Sequence, residues 1–275
     1  DAVTIGVMSQ PEDICLLRHD GSGKNAFKNP LSFRYLDDNF IESDAVKIGK
    51  TFMDYLKKTK DPRIHVYCSL KDGNTEFDKQ FGLPNGYDSH TIADAPSGSF
   101  VGLENTSNFN INTILRLDAP TIFLMPSETK LLLAEAVLRN WTNGNAEVLY
   151  KEAITSSMKE QEIAYGTQGK ITDEEIETYL AQNLLSTANN TEKLQIIGEQ
   201  YWVATFINGY ESYANWRRTG YPKLIPTNYS GSMSPGVIPT RLPYPTDEYS
   251  INRANVDTAN QQQGADKYMV GYRLT

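Results

Sequence analysis

Between Pro126 and Gly220 the sequence carries almost unbroken helical periodicity, and a run of that length commits most of the chain to packed helices. Ser127 to Trp141 is apolar on most faces, which predicts a buried helix. Thr142-Asn143-Gly144 breaks it, and a second helix is expected from Asn145 to about Ala164. Thr172 and Glu175 form a capping-box pattern for a third helix reaching about Ser186. A fourth is predicted from about Thr191 to Arg218. Val203, Ile207, Tyr210 and Ala214 line one of its faces, and Leu194, Ile197, Tyr201 and Ala204 another. Its stop signal is local: Arg217 and Arg218 complement the carbonyl end, Gly220 permits a left-handed cap, and Pro222 forbids continuation. Trp141, Trp202 and Trp216 stand at helical spacing and are expected in the core.

The helix pair 127–164 carries a partial tetratricopeptide pattern. Ala146, Tyr150 and Ala153 have the small-aromatic-small spacing of a second repeat helix, and Ala134 is the small residue where the first helix approaches. Upstream, Ser43 is placed to cap a helix whose Ala45, Ile48, Phe52 and Leu56 share a face. Asp61-Pro62 stops it, and Ile64 to Leu70 has strand-like content. After Pro222 the chain reads as an extended, Pro-rich tail over 221–275, with Pro243 and Pro245 near polyproline II geometry. The expected fold is mainly all-α: tetratricopeptide-like hairpins with long loops and minor β content. It is read as one domain over 1–275 with a helical repeat core at 127–220.

Residues 71–120 differ in character, being rich in Gly, Asn, Asp, Ser and Pro with scattered aromatics. A loop this long is functional or poorly ordered more often than it is a plain connection. Sugar rings stack on aromatic faces while Asn or Asp binds hydroxyls, and Asn85-Gly86-Tyr87-Asp88 offers both in one turn. The candidate ligand residues are therefore Phe81, Asn85, Tyr87, Asp88, Phe100 and Phe109. The plainer alternative, in which these aromatics anchor the loop to the helices, has equal standing for the loop and the advantage for each residue alone.

Net charge is −8, from 26 Lys and Arg against 34 Asp and Glu, so no basic stripe exists to neutralise phosphates. Nucleic acid is excluded as a partner on this ground, as is adhesion to anionic lipid by charge. The 16 Tyr, against 10 Phe and 3 Trp, join a flat apolar face to a hydroxyl and suit polar ligands. The densest apolar run, Leu131 to Leu138, is interrupted by Glu135 and is too short for a membrane span. Cys15 and Cys68 make no disulfide framework and have no partner at metal-ligand spacing; a bridge between them stays open.

Signatures of catalysis are missing. Gly21-Ser22-Gly23-Lys24 resembles half a phosphate loop, but Arg18 stands where the upstream glycine belongs, so it is read as a turn. His19, His65 and His90 lack a second ligand at metal-binding spacing. No Gly-x-Ser-x-Gly elbow occurs. Acidic residues are plentiful, yet Asp173 to Glu175 open a helix, where negative charge is favourable, and Glu135 and Glu211 sit within apolar helices. No catalytic residue, metal site or cofactor is expected.

The stretch from Glu128 through Ser157, followed by Glu199 through Leu224 and then Ile238 through Asn252, closely resembles the SusD/RagB family of surface lipoproteins, which are built on tetratricopeptide helices in Bacteroidetes. Asn208-Gly209 through Pro222 and Arg241 through Glu248 are the most telling pieces, and Asp61-Pro62-Arg63 after a helix also looks like that family. The resemblance covers most of the chain from about Ser43 onward. It implies non-catalytic binding of an oligosaccharide or similar oligomeric nutrient at the cell surface, and its delivery to a TonB-dependent, SusC-like outer-membrane transporter. The family begins with a lipidated Cys and further repeat helices, whereas this chain begins at Asp1. The sequence is therefore read as the central and C-terminal part of a longer, lipid-anchored protein. The alternative, from the repeat alone, is a tetratricopeptide scaffold that binds a peptide or protein.

Overall fold

Several helices begin where the sequence places a capping residue. The structure, a computed structural model, describes residues 6–37, 47–87, 90–227, 236–242 and 244–263. Its helices are α1 (Pro30–Asp37), α2 (Lys50–Thr59), α3 (Ile64–Tyr67), α4 (Pro126–Leu138), α5 (Ala146–Tyr165), α6 (Asp173–Gln182), α7 (Asn190–Ala204), α8 (Gly209–Thr219), α9 (Thr246–Ile251) and α10 (Arg253–Gln262). Short strands β1 (Cys15–Leu17), β2 (Cys68–Ser69), β3 (Asn108–Phe109) and β4 (Thr121–Leu124) form two antiparallel ribbons, β1 with β4 and β2 with β3. The mainly helical class with minor β content is thus the observed one.

The chain divides into two compact units, Asp1–Asn208 and Gly209–Thr275. In the first, α4 and α5 form a helical hairpin, and α7 packs on both. Ala134 and Ala153 are fully buried, leaving space for Tyr150, Ile154 and Met158 between the helices. Asn145 caps α5 by accepting from the amides of Glu147 and Val148. Thr172 with Glu175, and Asn189 with Glu192, close reciprocal capping boxes on α6 and α7.

Four local expectations are corrected. Trp141 is 69% exposed; Asn140 adopts φ 58° just after α4 and turns the chain, so the indole lies outside with the Arg139 guanidinium 5.3 Å from its ring. The long fourth helix is two helices. The first stops at Ala204, where Thr205 donates its hydroxyl to the Tyr201 carbonyl at 2.7 Å, and α8 begins anew at Gly209. The break frees Phe206, which stacks on Phe52 with centroids 4.3 Å apart and planes within 4°. Ile64–Tyr67 is a helical turn rather than a strand, because Asp61 Oδ1 accepts the Arg63 amide at 3.0 Å and Pro62 suits a first turn. The tail is not extended throughout, since α9 and α10 lie in it.

Ser43 and Pro243 lie outside the described residues, and the described helix there begins at Lys50. In the second unit, Gly220 takes φ 75° and donates its amide to the Trp216 carbonyl at 2.7 Å, ending α8 as its sequence dictates. Cys15 is exposed and Cys68 buried, both as free thiols.

Candidate functional site

The long segment after β2 is stitched to α2 by its backbone. Leu83 donates to the Ile48 carbonyl and accepts from Lys50, each at 2.7 Å, and Ile48 donates to the Ser107 carbonyl at 2.8 Å. The ties are reinforced inside. Ser107 donates its hydroxyl to Gln80 Oε1 at 2.7 Å and accepts the Phe81 amide at 3.1 Å, while Gln80 Nε2 donates to the Asn74 carbonyl at 2.9 Å. Gln80 and Ser107 are fully buried, so the segment is a built slab with polar pins.

The slab presents an aromatic edge. Phe81 is 39% exposed, and the Lys57 ammonium sits 4.2 Å from its ring centroid and 6.0 Å from that of Phe77. Partial burial pulls the Lys57 ammonium below its ordinary range, against the attraction of Asp78 and Asp54. Beside Phe77 opens a cleft of about 430 Å³, bordered also by Lys60, Pro62, Glu174, Thr178 and Gln182. That volume lies inside the span of small-molecule sites, about 300–1,000 Å³. An apolar ring beside a hydroxyl, an amide and a carboxylate can stack one sugar face and bind its edge.

The residues singled out from the sequence fall in different places. Phe81 and Asn85 both meet α2, the latter by accepting from the Thr51 hydroxyl at 3.1 Å. Tyr87 and Phe100 are half-buried in the slab. Phe109 lies in β3, its ring 5.5 Å from Phe206 and 5.9 Å from Tyr35. Asp88 lies outside the described residues. Lys57, Phe77 and Thr178 were not legible as neighbours, because they come from α2, the slab and α6, and only folding joins them.

Beneath the cleft runs a buried polar network. Arg63 is wholly buried, with Nε and Nη2 forked onto the two carboxylate oxygens of Asp61, Nη1 donating to Ser157 Oγ at 3.0 Å, and Nη2 also to Gln200 Oε1 at 2.7 Å. Gln200 Nε2 then donates to the Tyr179 hydroxyl at 2.7 Å. Every member is satisfied, so this pair locks α5, α6 and α7 to the Asp61 turn.

Three groups singled out from the sequence as possible ligands are occupied within the fold. Asp20 Oδ1 accepts from the amides of Ser22 and Gly23, making the Gly21–Lys24 stretch an Asx turn. His19 meets Thr121 Oγ1 at 2.9 Å and His65 the Lys170 carbonyl at 3.2 Å. Among the described residues no group of three or more His, Cys, Asp or Glu could hold a metal, and no helix is long and apolar enough to cross a membrane.

Comparison with known proteins gives this architecture its relatives. The family model SusD-like, described as starch-binding associating with outer membrane, matches residues 1–245. A solved chitin-binding protein superposes with TM-score 0.73 at 28% identity, over 98% of this chain and 57% of that one. A SusD-like protein of Bacteroidetes gives TM-score 0.75 at 23% identity, over 99% and 63%. A chitin-binding SusD homolog from Flavobacterium johnsoniae gives 0.70 at 23%, over 99% and 56%. The chain spans less than two thirds of the length of these structures. No curated protein matches the sequence.

Proposed function

The chain belongs to the SusD-like family, and from that premise we propose that it binds an oligosaccharide at the cell surface without cleaving it and passes it to a SusC-like, TonB-dependent outer-membrane transporter. The observation that carries this is the exposed Phe81 edge continuing past Lys57 and Phe77 into the cleft at α6. Phe81 is the stacking ring in this proposal, and Tyr87, Phe100, Asn85 and Asp88 are proposed as further ligand residues on the grounds of their chemistry alone. Phe109 acts by holding β3 to the core. Lipid anchoring to the outer membrane belongs to the same proposal and rests on the family alone.

Isothermal titration of the chain with malto-oligosaccharides and chito-oligosaccharides tests it, with chromatography of the ligand afterwards. Saturable binding of one series, with the ligand recovered intact, is the expected result. Appearance of shorter sugars, or flat titrations beside saturable binding of a peptide, would replace it with the hydrolytic or the scaffold reading.

A further inference from the structure

A second cavity, of about 280 Å³, opens elsewhere in the first unit, among α2, α5, the end of α6 and α7. Its wall includes Tyr55, Tyr150, Leu184, Ile196, Glu199 and Gln200. Tyr150 is the aromatic of the tetratricopeptide spacing, and its side chain is fully buried. Its hydroxyl nevertheless has no hydrogen-bond partner in the protein. A buried phenol left so costs about 1–3 kcal/mol, and tyrosine hydroxyls inside proteins are paired in the large majority of cases. Phenylalanine would fill the same groove at no such cost, so the packing role of Tyr150 does not explain its oxygen.

The neighbouring groups are aimed and partly spent. Arg63 holds Gln200 Oε1, which turns Gln200 Nε2 toward Tyr179 and, at 3.2 Å, toward the Tyr55 hydroxyl. Tyr55 thus accepts from Gln200 and keeps its own proton to donate. Glu199 accepts from Gln195 at 2.7 Å through Oε1, leaving further lone pairs on the carboxylate. Burial pushes the phenols of Tyr55 and Tyr150 far above their ordinary range, so both stay protonated donors at any physiological pH. Ile196 and Leu184 supply aliphatic wall.

We propose that this cavity is a second binding site, separate from the slab, for a single ring of a neutral, hydroxyl-rich sugar. Two phenolic donors and one carboxylate acceptor match the alternating donors and acceptors of adjacent ring hydroxyls, and the aliphatic wall matches the C–H face. The volume, about 280 Å³, falls just under the usual span of small-molecule sites, about 300–1,000 Å³, and has no room for a chain of rings. Anions are disfavoured, because Glu199 is the only charged residue in the lining and it is acidic. An organic cation would meet that single carboxylate without a cage, since the deeper Asp61 charge is already matched by Arg63. The site stands on its own geometry and does not depend on the glycan reading of the slab.

Amide spectra of the ¹⁵N-labelled chain, titrated separately with D-glucose, N-acetyl-D-glucosamine and tetramethylammonium, test it. Saturable shifts at residues 181–184 and 196–200 are expected with at least one of the two sugars. Tyr150→Phe should weaken that binding about tenfold, the worth of one good hydrogen bond, and leave the thermal midpoint unchanged or higher because it removes an unpaired hydroxyl. Flat spectra with both sugars, undiminished binding in Tyr150→Phe, or a response to tetramethylammonium in place of the sugars would each overturn it. Failure of the slab reading looks different: oligosaccharide titrations insensitive to Phe81→Ala, with these amides still responding to a single ring.

Discussion

Arg63 and Glu160 show how single buried charges set the stability of the frame. Removing Arg63 leaves Asp61 as a lone carboxylate at 0% exposure, so Arg63→Met should cost about 3–5 kcal/mol, read as a lower urea midpoint. Pairing it with Asp61→Asn removes both charges and should recover a substantial part of that loss; equal losses in the single and double variants would deny the pair its role. Glu160 on α5 accepts from the Ser127 amide at 2.9 Å, the Ser127 hydroxyl at 2.6 Å and the Ser156 hydroxyl at 2.9 Å, thereby pinning the first turn of α4. Burial still outweighs these donors and raises its carboxyl above the ordinary 4.5. A raised carboxyl binds its proton more tightly in the folded state. Its contribution to stability is therefore present below 4.5 and lost as pH climbs through the raised value. Denaturation of the wild type and Glu160→Gln across that window should show the wild type losing ground as pH rises; parallel profiles would mean that donors and burial cancel, and a wild type gaining ground would mean that the donors win.

Among the elements, those written locally were legible and those written across the chain were not. The capping box of Thr172 and Glu175, the N-cap Asn145 and the Gly220 stop each involve residues within a few positions, so spacing alone reveals them. The bonds from Arg63 to Ser157 and Gln200 span separations of 94 and 137 residues, and nothing in either neighbourhood announces the other. The break before α8 was illegible for a related reason, because apolar periodicity continues through Phe206 and only the ring of Phe52 shows where that side chain is needed. The slab belongs to this second kind. Its composition marked residues 71–120 as unusual, yet its attachment depends on Gly82, where a Cβ would stand 2.4 Å from Lys50 Cα and 2.7 Å from Lys50 N. Backbone cannot yield to that contact, so Gly82→Ala should cost about 1–3 kcal/mol and weaken oligosaccharide binding by shifting Phe81 away from Lys57. Gly209→Ala, with nothing within 4 Å of the added carbon, is the matched control. Unchanged midpoint and affinity in Gly82→Ala would mean that the slab is not held through this contact.

For the whole molecule the decisive quantity is the net charge of −8. A chain so charged repels anionic polymers at long range, and the cleft beside Phe77 is itself acidic, with Glu174 and Glu175 against Lys60. Lys57 offsets little of it, since Asp78 and Asp54 stand close enough to act on its ammonium. Starch and chitin, which the family model and two of the solved relatives name, are uncharged polymers, and a ligand of that kind would gain nothing from long-range attraction. Affinity for a neutral oligosaccharide should then move by less than about twofold between roughly 0.1 and 1 M NaCl, where the screening length falls from about 10 to about 3 Å. Over the same range an acidic glycan, repelled at low salt, should bind no better than the neutral one and should gain as the repulsion is screened. Stacking and short hydrogen bonds are insensitive to ionic strength and ion pairing is not, so a steep loss of neutral-glycan affinity with salt would remove the Phe81 edge from the account. Calorimetric titrations at the two salt concentrations, with wild type and Phe81→Ala side by side, make the distinction in one experiment.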